Sequence, residues 1–260
     1  MNHTIDLINN RVSLRKYADK EVTKDVLDIV LKSAMRAPTA GNTMMYSMIV
    51  TRDEENKRKL SQTCDNQPFI AKAPVIIIFV ADSHRMNKYF KVSGVEEYCK
   101  KNNKKLKTPD LAQLFLATGD AFIAAQNAVV AAESLGLGTC YIGDIVEHHE
   151  THRRLLNLPN WATPVAMLCV GYYPDDYPRV IAPRFDKECI VFEEEYKDLS
   201  DVELKEMYKY NESKLPTPNV YNAENFGQML YGRKFGTEFM DEMNDGLRKA
   251  VEDWLKKESN

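Results

Sequence analysis

The sequence predicts an α/β or α+β domain organised around one β-sheet. Three observations carry this prediction. Four strand-like runs are separated by stretches of helical periodicity, the pattern of a sheet covered by helices. One of these runs, APVIIIFVAD (73–82), is continuous and β-branched, as expected of a strand buried on both faces. A long helical stretch from about 108 to Leu135 is crowded with alanine and apolar nearly all round, so it belongs in a core or at a subunit interface.

The elements follow in chain order. A short amphipathic stretch, TIDLINN, precedes RVSLRKY (11–17). In residues 23–38 the apolar positions 26, 29, 30 and 34 define one helix face, with Thr23 as N-cap and Pro38 as stop. TAGN (39–42) is turn chemistry, and residues 45–52 then alternate as a strand. A charged helix is predicted over 53–64, and the buried strand over 73–82. Residues 84–107 are polar, end in KKNNKKLK and show no strand pattern, so they read as a solvated loop or an excursion over a pocket. The alanine-rich helix ends at Gly136, a C′ glycine. A strand at 139–142, a helix at 146–157 and a strand at 163–172 come next. Residues 174–190 are a proline-rich connection, and 198–260 are polar and helical.

Composition narrows the function classes. The 260 residues are 44% hydrophobic and 28% charged with a net charge of -3, so no global field draws nucleic acid or anionic membrane. No uninterrupted apolar run reaches the ~20 residues of a membrane span. The N-terminus lacks the build of a signal peptide. A cytoplasmic protein is therefore expected. Five widely spaced cysteines with no C-x-x-C argue against a disulfide framework and a zinc site, and Cys140 and Cys169 read as small core residues.

Several motifs are weighed against blander readings. R-x-S-x-R at 11–15 offers two guanidinium forks and a hydroxyl, suited to an anion, although a solvated turn carries the same residues. GLGTCYIG (136–143) is no dinucleotide fingerprint: Tyr141 stands where the third glycine is needed, and the stretch precedes a strand instead of following one. His148 and His152 have the i, i+4 spacing of zinc ligands, but HETH falls one residue short of H-E-x-x-H and no third ligand is near. No metal is expected, and a wet first helical turn is the simpler reading. No nucleophile elbow or carboxylate pair stands out, which points to a cofactor carrying the hard chemistry.

Taken in order, RVSLRKY (11–17), AMRAPTAGN (34–42), NQPFIAKAPVIIIFVAD (66–82), GDAFIAAQNAVVAAESLGLGTCYIGDI (119–145) and GYYPDDYPRVIAPRF (171–185) resemble the FMN-dependent nitroreductase family, and within it the longer-tailed NAD(P)H-dependent nitro- and flavin reductases. The resemblance spans about residues 5–190. It implies an α+β, three-layer sandwich with a central mixed sheet and a C-terminal helical extension. The FMN-binding domain would cover 1–192, and the extension over 193–260 would pack on that domain and on the partner subunit.

The resemblance also implies site roles. Arg11 and Ser13 would meet the FMN phosphate, and Arg184 would close that cage. Arg15 would reach the phosphate or the N1/O2 edge of the ring, where a cation stabilises the charge left by reduction. Gln67 would bond the pyrimidine edge. Backbone N–H groups along Tyr141, Ile142, Gly143 and Asp144 would face N5 and O4, with the glycine permitting close approach. Pro38, Thr39 and Asn42 would come from the second subunit of a homodimer. Two positions depart from the family pattern: Ala182 stands where a phosphate-binding lysine is common, and Met44 where a polar residue is common.

The activity implied is an oxidoreductase taking hydride from NADPH or NADH and passing it through FMN to nitroaromatics, quinones or free flavin by a ping-pong scheme. The alternatives are a specialised reductive role, dehalogenation or ene reduction, and a flavin-binding protein without turnover. A nucleic-acid-binding role for 100–107 is the remaining class; neither nucleic acid nor membrane is expected as a partner.

Overall fold

The computed structural model describes residues 2–256. The apolar run at 73–82 forms β2 (Val75–Asp82), buried at all eight positions. It lies between β1 (Tyr46–Thr51) and β4 (Ala162–Tyr172), and β3 (Leu137–Ile142) pairs with β4, so the strand order is β1-β2-β4-β3. Every strand pairing is antiparallel. The sheet is thus antiparallel where a mixed one was expected. Among the described residues its one parallel pairing is an isolated bridge between Ser13 and Thr139.

The pleat sends alternate side chains to opposite faces. Val75, Ile77 and Phe79 join Ala166, Leu168 and Val170 in one core, covered by α2 (Lys24–Ala34) and α7 (Leu111–Ser134), with α1 (His3–Asn10) against α7. Ile76, Ile78 and Val80 join Cys140, Met167 and Cys169 in another, closed by Leu60 of α3 (Glu54–Thr63) and Ile70 of α4 (Pro68–Ala71). Helices on both faces of one sheet make the three-layer α+β sandwich that was expected.

Local chemistry explains the boundaries. Thr23 caps α2 by accepting from the Val26 N–H. Asp110 opens α7 through a capping box with Gln113, and Gly136 ends it with φ at 75°. By length and composition α7 could cross a membrane. Here one face, Ala117, Ala121, Ala124, Ala128 and Ala132 among it, is buried against the sheet, while Phe115, Phe122 and Ile123 on the other are exposed.

Pro164 leaves a mark inside β4. It lacks the N–H for a ladder bond, and the register slips there: Phe79 faces Ala166 and Val80 faces Pro164, so Val165 is the extra residue of a bulge.

The polar stretch 84–107 is more regular than expected. It forms α5 (His84–Val92) and α6 (Val95–Lys101), joined at Gly94 in the left-handed region. Met86 packs inward and Cys99 is buried, a sparse apolar stripe that the lysines hide in the sequence. The predicted helix at 146–157 is a short 3-10 turn at 144–146 followed by α8 (His149–Leu155). Its His149 and His152 are buried, so the first turn is not the wet one expected.

The chain forms two compact units, one running to Arg179 and resuming at Glu242, the other Val180–Asp241. This differs from the division expected at 192, because α11 (Glu238–Leu255) returns most of its length to the first unit. There Trp254 packs with Trp161, Met45 and Ala117. In the second unit α9 (Asp201–Glu212) and α10 (Phe226–Leu230) meet through an aromatic series in which Phe185 packs edge-to-face on Tyr208 and Tyr208 lies tilted against Phe226.

Candidate functional site

β3 is an edge strand, and the N-terminal segment lies along it. Ser13 bridges Thr139, and the Leu14 N–H donates to the Thr139 carbonyl at 2.9 Å. Leu14 is fully buried, and the missing side chain of Gly138 leaves the room it fills. Extended backbone then turns the neighbours of Leu14 outward: Arg15 is exposed, and Arg11 and Ser13 are half-buried. The Tyr177 hydroxyl donates to the Ser13 carbonyl at 3.2 Å, and Tyr173 lies 2.8 Å from Glu133 Oε1 and 3.3 Å from the Val12 carbonyl.

These arginines are electrostatically available. Glu133, the buried carboxylate nearby, is engaged by Tyr173 and Arg179. Among the described residues, Arg11 and Arg15 form no ion pair. Their field reaches β3: burial raises the Cys140 thiol, with Arg15, Ser13 and Arg11 pulling the other way. Burial pushes the Tyr141 phenol up to about 12, opposed by Arg11.

A second segment meets the same edge. Asp65 and Asn66 adopt left-handed φ of 55° and 48°, a sharp turn after α3 that both residue types tolerate. It delivers Gln67, whose Nε2 donates to the Cys64 carbonyl at 3.0 Å and to Asp144 Oδ2 at 3.3 Å. Arg15 stands over the ring of Phe69, 5.7 Å from its centroid. A largely apolar cleft of about 380 Å³ opens at the end of β3, lined by Phe122, Gln126, Tyr141, Ile142, Gly143, Val165 and Ala166. Its size is that of a small-molecule site. Gly143 faces open space, and the bulge at Pro164 supplies Val165 to the wall. A larger cleft of about 480 Å³, between α8 and α11, holds none of the predicted residues.

The structure therefore gathers Arg11, Ser13, Arg15, Gln67, Tyr141, Ile142, Gly143 and Asp144 at one sheet edge. It does not bring Pro38, Thr39 and Asn42 there. Their turn precedes β1, the opposite edge of the sheet, three strand spacings or ~14 Å away. Arg184 lies in the unit Val180–Asp241 and is exposed.

Sequence reasoning missed the residue that shapes the Pro38–Asn42 turn. Asp120 is 3% exposed on the alanine-rich α7. Its Oδ1 accepts from the Ala40 N–H at 2.9 Å and its Oδ2 from the Met45 N–H at 3.1 Å. Between them Gly41, Asn42 and Met44 all adopt left-handed φ. A lone acid in the apolar run GDAFIAAQ was the available signal.

The histidines are structural in setting. His152 Nδ1 is 2.7 Å from the Ile145 carbonyl and its Nε2 is 2.7 Å from Thr63 Oγ1, while His148 Nε2 faces Glu147. Burial lowers the His152 pKa to about 4. Among the described residues, no group of three or more His, Cys, Asp or Glu is placed to hold a metal. Glu147, buried beside Glu242 with Asp144 and Asp65 near, has its pKa raised to about 7, first by burial and then by the Glu242 carboxyl.

A three-layer α+β sandwich with a cationic segment laid along the edge strand β3, whose Tyr141 and Ile142 line an apolar cleft, defines the class of protein. The chain belongs to the nitroreductase family, whose model matches residues 8–172. It is 33% identical over 201 residues to the FMN reductase (NADPH) of Bacillus subtilis strain 168, covering 77% of each chain. The solved structure of NfrA1 from B. megaterium is 30% identical, with a TM-score of 0.77 over 96% of this chain and 99% of that one. The NADPH:FMN oxidoreductase of Vibrio harveyi, complexed with NAD+, shares the fold at 22% identity, with a TM-score of 0.76 over 96% and 98% of the two chains.

Proposed function

We propose that the protein is an FMN-dependent oxidoreductase passing electrons from NAD(P)H to nitroaromatics, quinones or free flavin. One observation carries this reading: three segments far apart in sequence, at 11–15, 63–67 and 141–144, meet at one sheet edge, where Tyr141, Ile142 and Gly143 also line an apolar cleft. The residues there suit the cofactor. Among the described residues the two arginines form no ion pair and suit an anion, an amide stands near Arg15, and a glycine leaves backbone open to a flat ring. The printed names of the relatives supply FMN and NADPH.

Bound FMN supplies a two-electron carrier between donor and acceptor. Arg11 and Ser13 offer a charge-assisted fork and a hydroxyl to its phosphate. Arg15 places a permanent cation next to the Gln67 segment, where it stabilises negative charge gained on reduction. Gln67 combines a donor and an acceptor in one side chain, which a pyrimidine edge requires. Gly143 allows the chain to approach, and Phe122, Ile142 and Val165 keep water from one side of the cleft.

The protein acts as a homodimer in this reading. Pro38, Thr39 and Asn42 sit on the far edge of their own sheet and reach the flavin of the partner. The exposed apolar face of α7 (Leu111, Phe115, Phe122 and Ile123) suits burial in such an interface. Five free cysteines fit a reducing, cytoplasmic setting.

Donor and acceptor share one cleft in turn, so initial-rate lines for NADPH and menadione should be parallel in double-reciprocal form. Converging lines would overturn the shared cleft, and absent NADPH oxidation would overturn the activity.

A further inference from the structure

His152 has no role in the proposed chemistry, yet it is completely buried and tied at both ring nitrogens. Hydrogen-bond accounting fixes its tautomer. The Ile145 carbonyl can only accept, so Nδ1 carries the proton. A neutral ring then leaves Nε2 as an acceptor, with the Thr63 hydroxyl at 2.7 Å and the weaker Cys64 thiol donor at 4.0 Å, so the hydroxyl is the donor in normal hydrogen-bond range. Thr63 Oγ1 also lies 2.9 Å from the Lys59 carbonyl, but its single proton cannot serve both. Burial keeps the ring neutral, which assigns that proton to His152.

The two groups so joined belong to two segments that meet at this sheet edge, one of which reaches the cleft through Gly143. Ile145 lies in the turn directly after Gly143, and Thr63 ends α3 just before the left-handed Asp65 and Asn66 that deliver Gln67. The same segments meet a second time where Gln67 Nε2 donates to Asp144.

We propose that His152 is a positioning residue: a neutral Nδ1–H imidazole that clamps the Gly143–Val146 turn to the Thr63–Gln67 segment, and so sets where the Gln67 amide and the Gly143–Asp144 backbone stand. It touches neither substrate nor cofactor. Its functional meaning rests on the flavin reading above, whereas the clamp itself does not.

The test uses the full-length protein, stripped of flavin and titrated with FMN, together with long-range nitrogen–proton NMR of the imidazoles. Thr63→Val keeps the shape and removes the hydroxyl. His152→Asn keeps an amide nitrogen near the Nδ1 position, and His152→Gln places one near Nε2 instead. The expected result is an Nδ1–H tautomer for His152 at neutral pH. With native far-UV circular dichroism, FMN affinity should fall about tenfold for Thr63→Val and His152→Gln, the equivalent of one hydrogen bond, and less for His152→Asn. An Nε2–H tautomer or an imidazolium at pH 7 would overturn the clamp. So would variants that bind FMN as tightly as the wild-type protein. Failure of the wild-type protein to bind FMN would overturn the flavin reading and with it the role given to His152.

Discussion

Asp120→Asn should destabilise the protein by about 3 kcal/mol. The carboxylate is 3% exposed and uses each oxygen once, for the Ala40 N–H at 2.9 Å and the Met45 N–H at 3.1 Å. An amide retains only one acceptor. Whichever way it turns, one charge-assisted bond worth ~1.5–3 kcal/mol is lost, and a buried N–H faces an NH₂ donor at a further cost of ~1–3 kcal/mol. The turn has little to fall back on, because Asn42 and Met44 hold left-handed φ of 57° and 50° that L-residues do not favour. For a chain of this size each kcal/mol moves Tm by about 2–4 °C, so a fall of about 6–12 °C is expected. Thermal unfolding followed by far-UV circular dichroism measures it. A variant melting within 1 °C of the wild-type protein would refute the two-oxygen clamp as the support of this turn.

Four further outcomes follow from the same structure. Unfolded His152 takes a proton near 6.5, but the folded ring refuses it until about 4, so its contribution of up to ~3 kcal/mol is lost as pH falls through that window. Glu147 runs the opposite way: the folded protein holds its proton from 4.5 up to about 7, and that contribution is lost as pH rises. Urea unfolding of Glu147→Gln should therefore show stability rising between pH 5 and pH 7 more steeply than in the wild-type protein, and an unchanged slope would refute the shift. Gly246→Ala would drive a methyl into the Val146 and Glu147 carbonyls, so α11 should loosen at a cost of ~1–3 kcal/mol, with Trp254 fluorescence shifting to the red; an unshifted spectrum and melt would contradict that packing. Arg15→Ala should weaken flavin retention or lower its reduction potential, by ~1.5–3 kcal/mol, and wild-type occupancy and potential would show the arginine misassigned.

Much of the fold was legible because it rests on local rules. The β-branched run at 73–82 could only be a strand with both faces covered, and its alternate residues do feed two cores. Thr23 and Gly136 mark helix ends through capping chemistry that needs no tertiary context. Strand direction was less accessible, since connections as long as these, each carrying helices, leave parallel and antiparallel pairing open. The Val165 bulge follows from Pro164, but only once its partner strand is known. Helices α5 and α6 were hidden because their charge dominates a stripe of few buried residues. The site divided in the same way. Arginines, Ser13, Gln67 and Gly143 could be named from their chemistry and the family resemblance. Asp120 and His152 could not, because each acts on groups 75 to 89 residues or one short turn away, and no spacing in the sequence records such contacts.

The central claim is that this sheet edge holds FMN and lets NAD(P)H reduce it. The direct measurement is the visible absorption spectrum of the purified protein, reconstituted with FMN and desalted, before and after anaerobic addition of one equivalent of NADPH. The account predicts one protein-bound flavin per chain whose oxidised bands bleach on that addition and return with menadione. A colourless protein after desalting, or a bound flavin that stays oxidised under excess NADPH and NADH, would contradict it.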